Sequence, residues 1–145
     1  MGTQQLLLIV LGVIIVGIAV VVGINIFGSN AEQANKDAVT QDCLRVAAAA
    51  QGFFRKPEML GGGEGDFTNI EITDCGMTAD DGETMVSTNI NGVYTLSGNA
   101  DADLTITGNP LDGTGAADVE RAVVITLDMA GATDADRVST AYTGW

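Results

Sequence analysis

Residues 1–30 read MGTQQLLLIVLGVIIVGIAVVVGINIFGSN, and from Met1 to Ala31 there is no Lys, Arg, Asp, Glu or His. Leu6 to Ile24 is 19 residues of Leu, Ile, Val, Ala and Gly only, the length a helix needs to cross roughly 30 Å of hydrocarbon. A secretory signal would open on basic residues and carry a core of about 7–15 apolar ones; this run has no basic start and is longer. An ordinary membrane anchor is flanked by Lys or Arg and an aromatic belt, whereas Phe27 is the one aromatic residue before Phe53. The pattern fits a helix that waits in a membrane and is later enclosed by copies of itself, with Met1 as the mature N-terminus once a short basic leader is removed. The side chains expected to pack in that enclosure are Leu6, Leu7, Leu8, Ile9, Leu11, Val13, Ile14, Val16, Ile18, Val20, Ile24 and Phe27. Gly12, Gly17 and Gly23 interrupt the run, and small residues let apolar helices approach closely, at about 1 kcal/mol each in helix propensity relative to Ala. Gln4 and Gln5 add uncharged hydrogen-bonding groups at the first turn, where backbone N–H groups lack helical partners.

The rest of the chain is polar and acidic. Of its 145 residues, 19 are Asp or Glu and 6 are Lys or Arg, and the net charge is −13. From Glu58 onward only Arg121 and Arg137 are basic. Such a surface repels phosphate backbones, which argues against nucleic acid as a partner.

After Phe27 the chain changes period. Gly28-Ser29-Asn30 is expected to loosen or kink the helix. From Ala31 apolar residues fall at helical spacing, through Val39, Cys43, Val46, Ala47, Ala50, Phe53 and Phe54. Pro57 and Gly61-Gly62-Gly63 then end the helix. Three segments follow from this reading: an apolar helix over 1–28, an amphipathic helix over 29–57 and a β-rich head over 58–145.

On these residues the chain resembles type IV pilins and their relatives, in which a mature N-terminus leads at once into a long apolar helix, then an amphipathic one, then a small β-rich head. GTQQLLLIVLGVIIVGIAVVVGI, NKDAV and FFRKPEMLGGG look like a group of pilin-like proteins from environmental bacteria, and the likeness covers about the first 65 residues. The family pattern has Glu at mature position 5, paired with the N-terminal amine of a neighbouring subunit. Gln5 stands there in this chain, and a neutral amide hydrogen-bonds without forming that ion pair. The resemblance implies N-terminal assembly contacts at Met1 and Gln5, processing by a prepilin peptidase, storage in the inner membrane, export by a pilus assembly machinery and polymerisation into an extracellular filament of identical subunits.

Strands are expected in the head at Phe67–Asp74, at two runs within Thr84–Ser97 around the hairpin signal Asn91-Gly92, at Ala102–Thr107, at Arg121–Met129 and, as an edge, at Val138–Tyr142. Antiparallel strands laid on the second half of a long helix make an α+β fold. Cys43 and Cys75 are the only cysteines, and in an exported chain such a pair is expected to form one disulfide. It would close a loop of about 30 residues and contribute roughly 3–4 kcal/mol by loop entropy.

No constellation for catalysis is present. There is no His to act as base, no GxSxG and no P-loop, and Gly61–Gly65 (GGGEG) reads as a flexible connector. No cofactor is called for. Asp80, Asp81 and Glu83, and Asp101 with Asp103, gather oxygens near turns as Ca²⁺ sites do, but neither group has the ligand order of an EF-hand, and solvated acidic loops are the plainer reading. The leading expectation is therefore a structural filament subunit and not an enzyme. The alternative is a single-pass, membrane-anchored surface protein whose acidic head binds a ligand or Ca²⁺.

Overall fold

The computed structural model describes residues 2–100, 102–130 and 137–145. The fold is α+β, with one long helix and a five-stranded antiparallel sheet. The chain divides into two compact units, Met1–Ala34 and Asn35–Trp145. The second unit therefore takes in the last 21 residues of the helix as well as everything after it.

Helix α1 spans Gly2–Arg55 and stays helical through Gly28-Ser29-Asn30, so the loosening expected there does not interrupt the hydrogen-bond ladder. Its buried residues are Val39, Cys43, Val46, Ala47, Ala50 and Phe53, the stripe that a 3.6-residue period places on one face. Phe53, Phe54 and Lys56 mark where the helix stops. The loop Gly61–Gly65 is not the loose connector expected, because it folds back on the helix end. Gly63 N–H donates to Phe53 C=O at 2.9 Å, Gly65 N–H to Phe54 C=O at 2.8 Å and Glu64 N–H to Lys56 C=O at 2.9 Å. Carbonyls that a helix leaves without partners are thereby satisfied. A Cβ at Gly62 would strike the Lys56 carbonyl, so close approach of the backbones explains the glycine there.

The sheet is a meander in the order β1-β2-β3-β4-β5, with β1 Val86–Thr88, β2 Gly92–Ala100, β3 Asp103–Pro110, β4 Ala122–Asp128 and β5 Val138–Thr143. Alternation fixes its inner face. Leu104 and Ile106 of β3 and Val123, Ile125 and Leu127 of β4 are fully buried, and their neighbours in sequence are not. The hairpin β1–β2 forms where expected, but its turn differs from the two-residue Asn-Gly type. Asn89 N–H donates to Gly92 C=O at 2.9 Å, and Asn89 Oδ1 accepts from the N–H groups of Asn91 (2.8 Å) and Gly92 (3.0 Å).

Phe67–Asp74 is not a strand; it runs as a series of turns. Phe67, Ile70 and Ile72 are all fully buried, a set that no single face of a strand supplies. Local side-chain bonds favour the turns. Asp66 Oδ1 accepts from Thr68 N–H and Oγ1, both at 2.6 Å, and Asp74 Oδ2 accepts from Glu71 N–H at 3.0 Å.

The helix seats on the sheet over β3. A Cβ at Gly108 would fall against Cys43 Sγ and within 2.8 Å of Val39 Cγ1, so only a bare backbone lets the two elements meet. Replacing Gly108 with Val should therefore destabilise the second unit by about 1–3 kcal/mol, read as a lower urea midpoint at unchanged m-value. An unchanged midpoint would show that the helix can be lifted without loss.

Candidate functional site

The first unit carries an apolar surface whose large side chains from Leu6 to Phe27 are all exposed. Helix α1 is long and apolar enough to cross a membrane, and no residue of its most apolar 18-residue window is buried. Leu6, Leu7, Leu8, Ile9, Leu11, Val13, Ile14, Val16, Ile18, Val20, Ile24 and Phe27 are all exposed, Leu7 at 68% and Phe27 at 77%. A contiguous apolar surface this long is not left in water by a soluble chain. Gly12, Gly17 and Gly23 face open space, so nothing among the described residues requires their missing side chains. Gln5 lies in the helix, exposed; Met1, paired with it in the sequence-based expectation, lies outside the described residues.

Helical geometry adds a grouping that residue-by-residue reading missed. At 3.6 residues per turn, Gln5, Gly12, Ala19, Gly23 and Asn30 fall within about 40° of one another on one side of the helix. Gly17 stands on the other side. Two polar residues thus continue, at both ends, the stripe where another backbone could come closest.

In the second unit the main polar feature joins helix to sheet. Asp42 projects from α1, and its Oδ2 accepts three hydrogen bonds: from Asn89 Nδ2 and Asn91 Nδ2 at 2.9 Å each, and from Tyr94 Oη at 2.8 Å. Asn89 and Asn91 belong to the β1–β2 turn, and Tyr94 is fully buried in β2. Arg45 adds a longer contact of 3.8 Å to Oδ1 from an exposed position. Burial pulls the Asp42 pKa upward, but the bonds from Asn91, Asn89 and Tyr94 and the Arg45 charge outweigh it and hold the carboxyl below its ordinary value. Burial, and then the bond to Asp42, push the Tyr94 phenol up, so it stays a donor.

Several of the acidic residues bond to nearby backbone and hydroxyl groups. Asp112 Oδ1 accepts from Thr114 N–H (2.8 Å), Thr114 Oγ1 (2.6 Å) and Ala116 N–H (3.0 Å). Asp118 holds Glu120 N–H at 3.0 Å and Arg121 Nε at 2.7 Å. Asp80 binds Thr88 with both oxygens, Oδ1 to the backbone N–H at 3.1 Å and Oδ2 to Oγ1 at 2.7 Å. Its carboxylate is therefore committed to the β1 edge, while Asp81 and Glu83 are exposed beside it. Among the described residues no three His, Cys, Asp or Glu side chains come together as a metal site. Of the other expected pair, Asp103 begins β3 as an exposed residue and Asp101 lies outside the described residues.

Cys43 and Cys75 are both buried and stand as free thiols, not as the bridged pair expected from the sequence. Cys43 is turned onto β3 at Gly108, and Cys75 sits in the turn after Ile72. Burial, with Asp42 beside one and Asp74 beside the other, pushes both thiols up to about 12.

No family model matches the chain, and neither a curated protein nor a solved structure matches it.

Two outcomes follow from this geometry. The Asp42 pKa is lowered on folding, so its stabilisation is fully present above the ordinary carboxylate value of 3.8 and is lost as pH falls through the lower folded value. Asp42→Ala should cost about 1–3 kcal/mol at pH 7 by stranding the Tyr94 hydroxyl, and the variant should lose the matching part of the acid-side slope in urea titrations; parallel slopes would rule the clasp out. The folded chain should react negligibly with iodoacetamide at pH 8, and unfolding in guanidinium without reductant should release two reactive thiols. Release of none would instead reveal the bridge.

Proposed function

We propose that this chain is the structural subunit of an extracellular filament of the type IV pilus kind, polymerising through its apolar helix. The observation that carries the reading is the bare stretch from Gly2 to Ala31, which holds no charged residue: its large apolar side chains are exposed, and among the described residues nothing stands where side chains on Gly12, Gly17 and Gly23 would reach. Sister helices would supply both the apolar cover and the backbones for which the glycines make room. The α+β layout, with an amphipathic second half of the helix under a small sheet, agrees with the resemblance of the first 65 residues to pilins.

Energetics favour burial over exposure to water by a wide margin, at about 1.5 kcal/mol or more for each large aliphatic side chain. Leaving a bilayer gains much less, because lipid tails are as apolar as Leu. Close helix packing and contacts between heads must supply the difference, aided by work from an assembly machinery. In this reading a prepilin peptidase exposes Met1, the inner membrane stores the subunit, Gln5 hydrogen-bonds near a neighbour's N-terminus, and the acidic heads face the medium. No catalytic role is proposed.

Negative-stain images and mass spectrometry of sheared cell-surface material should show filaments built from this chain, and detergent should disperse them into subunits. Gly12→Leu and Gly23→Leu should cut filament yield at least about tenfold without lowering the amount of chain in the membrane, since each puts a bulky side chain where backbones meet. A chain found only as a dispersed single-pass protein in the envelope would overturn the proposal in favour of an anchored binding protein.

A further inference from the structure

β5 is the outer strand of the sheet, and all six of its residues, Val138–Thr143, are exposed. Val138, Thr140 and Tyr142 lie opposite Leu127, Ile125 and Val123, so they share the face on which those residues are buried. The helix covers them only in part: the Lys36 ammonium of α1 lies 4.3 Å from the Tyr142 ring centre, yet Val138 remains 38% and Tyr142 48% exposed. The opposite edge is closed, because Asp80 N–H donates to Val86 C=O at 3.0 Å and Asp80 Oδ1 accepts from Thr88 N–H. β5 has no such cover among the described residues. It also lacks the Lys, Pro or bulge by which proteins usually blunt an edge.

Register decides which groups point outward. Asp128 N–H donates to Arg137 C=O at 3.0 Å, and the pairing runs on through Leu127↔Val138 to Ala122↔Thr143. Hydrogen-bonded and non-bonded pairs alternate in an antiparallel ladder. Ser139, Ala141 and Thr143 therefore bond to β4, and Val138, Thr140 and Tyr142 turn their N–H and C=O groups away from it.

We propose that this edge is a docking surface for the β5 of a second copy of the chain, paired antiparallel about Thr140. The strand is complementary to itself. Thr140 meets Thr140, and Val138 meets Tyr142 twice, three pairs that each exchange both backbone bonds. On the face that the helix covers only through Lys36, the same register sets a β-branched residue against an aromatic ring at each side of a Thr–Thr pair, combinations that favour cross-strand contact.

Charge points to the same occupant. A chain of net charge −13 resists meeting its own copy over most of its surface, but β5 carries no charged residue. Arg137 precedes it at one end, and at the other Gly144 lies against the backbone carbonyl of Glu120, an exposed residue. Antiparallel pairing brings Arg137 of each copy to the Glu120 end of the other. The contact is two-fold and closed, and it stands independently of the filament reading, because it needs only the second unit.

Cysteine cross-linking of the full chain in detergent micelles tests the proposal under conditions where filaments should be dispersed. Under mild oxidation Thr140→Cys should give disulfide-linked dimer at least about tenfold above Ser139→Cys, because residue 140 meets itself whereas Ser139 lies opposite Ala141. Adding Val138→Lys to the Thr140→Cys chain should remove most of that dimer, since it takes away the apolar partner of Tyr142. Equal cross-linking at 139 and 140, or a yield indifferent to Val138→Lys, would overturn the proposal.

Discussion

Everything in the second unit depends on how closely α1 can approach the sheet, and Gly108 sets that distance. With no side chain on β3 at this position, Val39 and Cys43 reach the sheet backbone, and the stripe from Val39 to Phe53 is buried behind them. The inner faces of β3 and β4 then close over the same stripe with Leu104, Ile106, Val123, Ile125 and Leu127. Turns 67–75 add Phe67, Ile70 and Ile72, and the glycine loop returns to the helix end to satisfy its last carbonyls. A sheet held further from the helix would leave these contacts incomplete, and dispersion falls off steeply with such gaps.

One helix thereby presents two different surfaces. Its second half is amphipathic and finds its cover within the chain. Its first half is apolar on every side, and no residue of its most apolar 18-residue window is buried among the described residues. Asp42 stands near the start of the buried stripe and fixes the rotation of the helix against the sheet, because its Oδ2 must face Asn89, Asn91 and Tyr94 together. Apolar contact alone tolerates sliding; a carboxylate with three directed donors does not.

The sequence was most legible where a single periodicity governed a segment. The stripe from Val39 to Phe53, β4 over Ala122–Asp128 and the edge strand from Val138 emerge as read, since one face of each meets one environment. Legibility failed where side chains bonded locally to backbone. Phe67–Asp74 alternates convincingly, yet Asp66 and Asp74 turn it into loops. Asn91-Gly92 marked the hairpin but not its turn, because Asn89 gathers the N–H groups that a tighter turn would leave free. The role of Asp42 was hidden for a different reason: its partners lie 47 to 52 residues away. The acid-rich loops read mainly as solvated surface, with Ca²⁺ the lesser reading, and their spacing gave no hint that Asp80 and Asp112 would accept bonds from nearby amides and hydroxyls.

The chain's single tryptophan stands where the helix, β4 and the end of the sheet converge. Trp145 donates its indole N–H to the Ala122 carbonyl at 3.2 Å, with the Lys36 ammonium 5.8 Å and the Arg121 guanidinium 5.4 Å from its ring centre. Lys36 comes from α1 and Arg121 from the residue before β4, so the indole senses both elements at once. Its fluorescence thus offers an intrinsic optical signal, without any attached dye, for whether this corner of the molecule is closed.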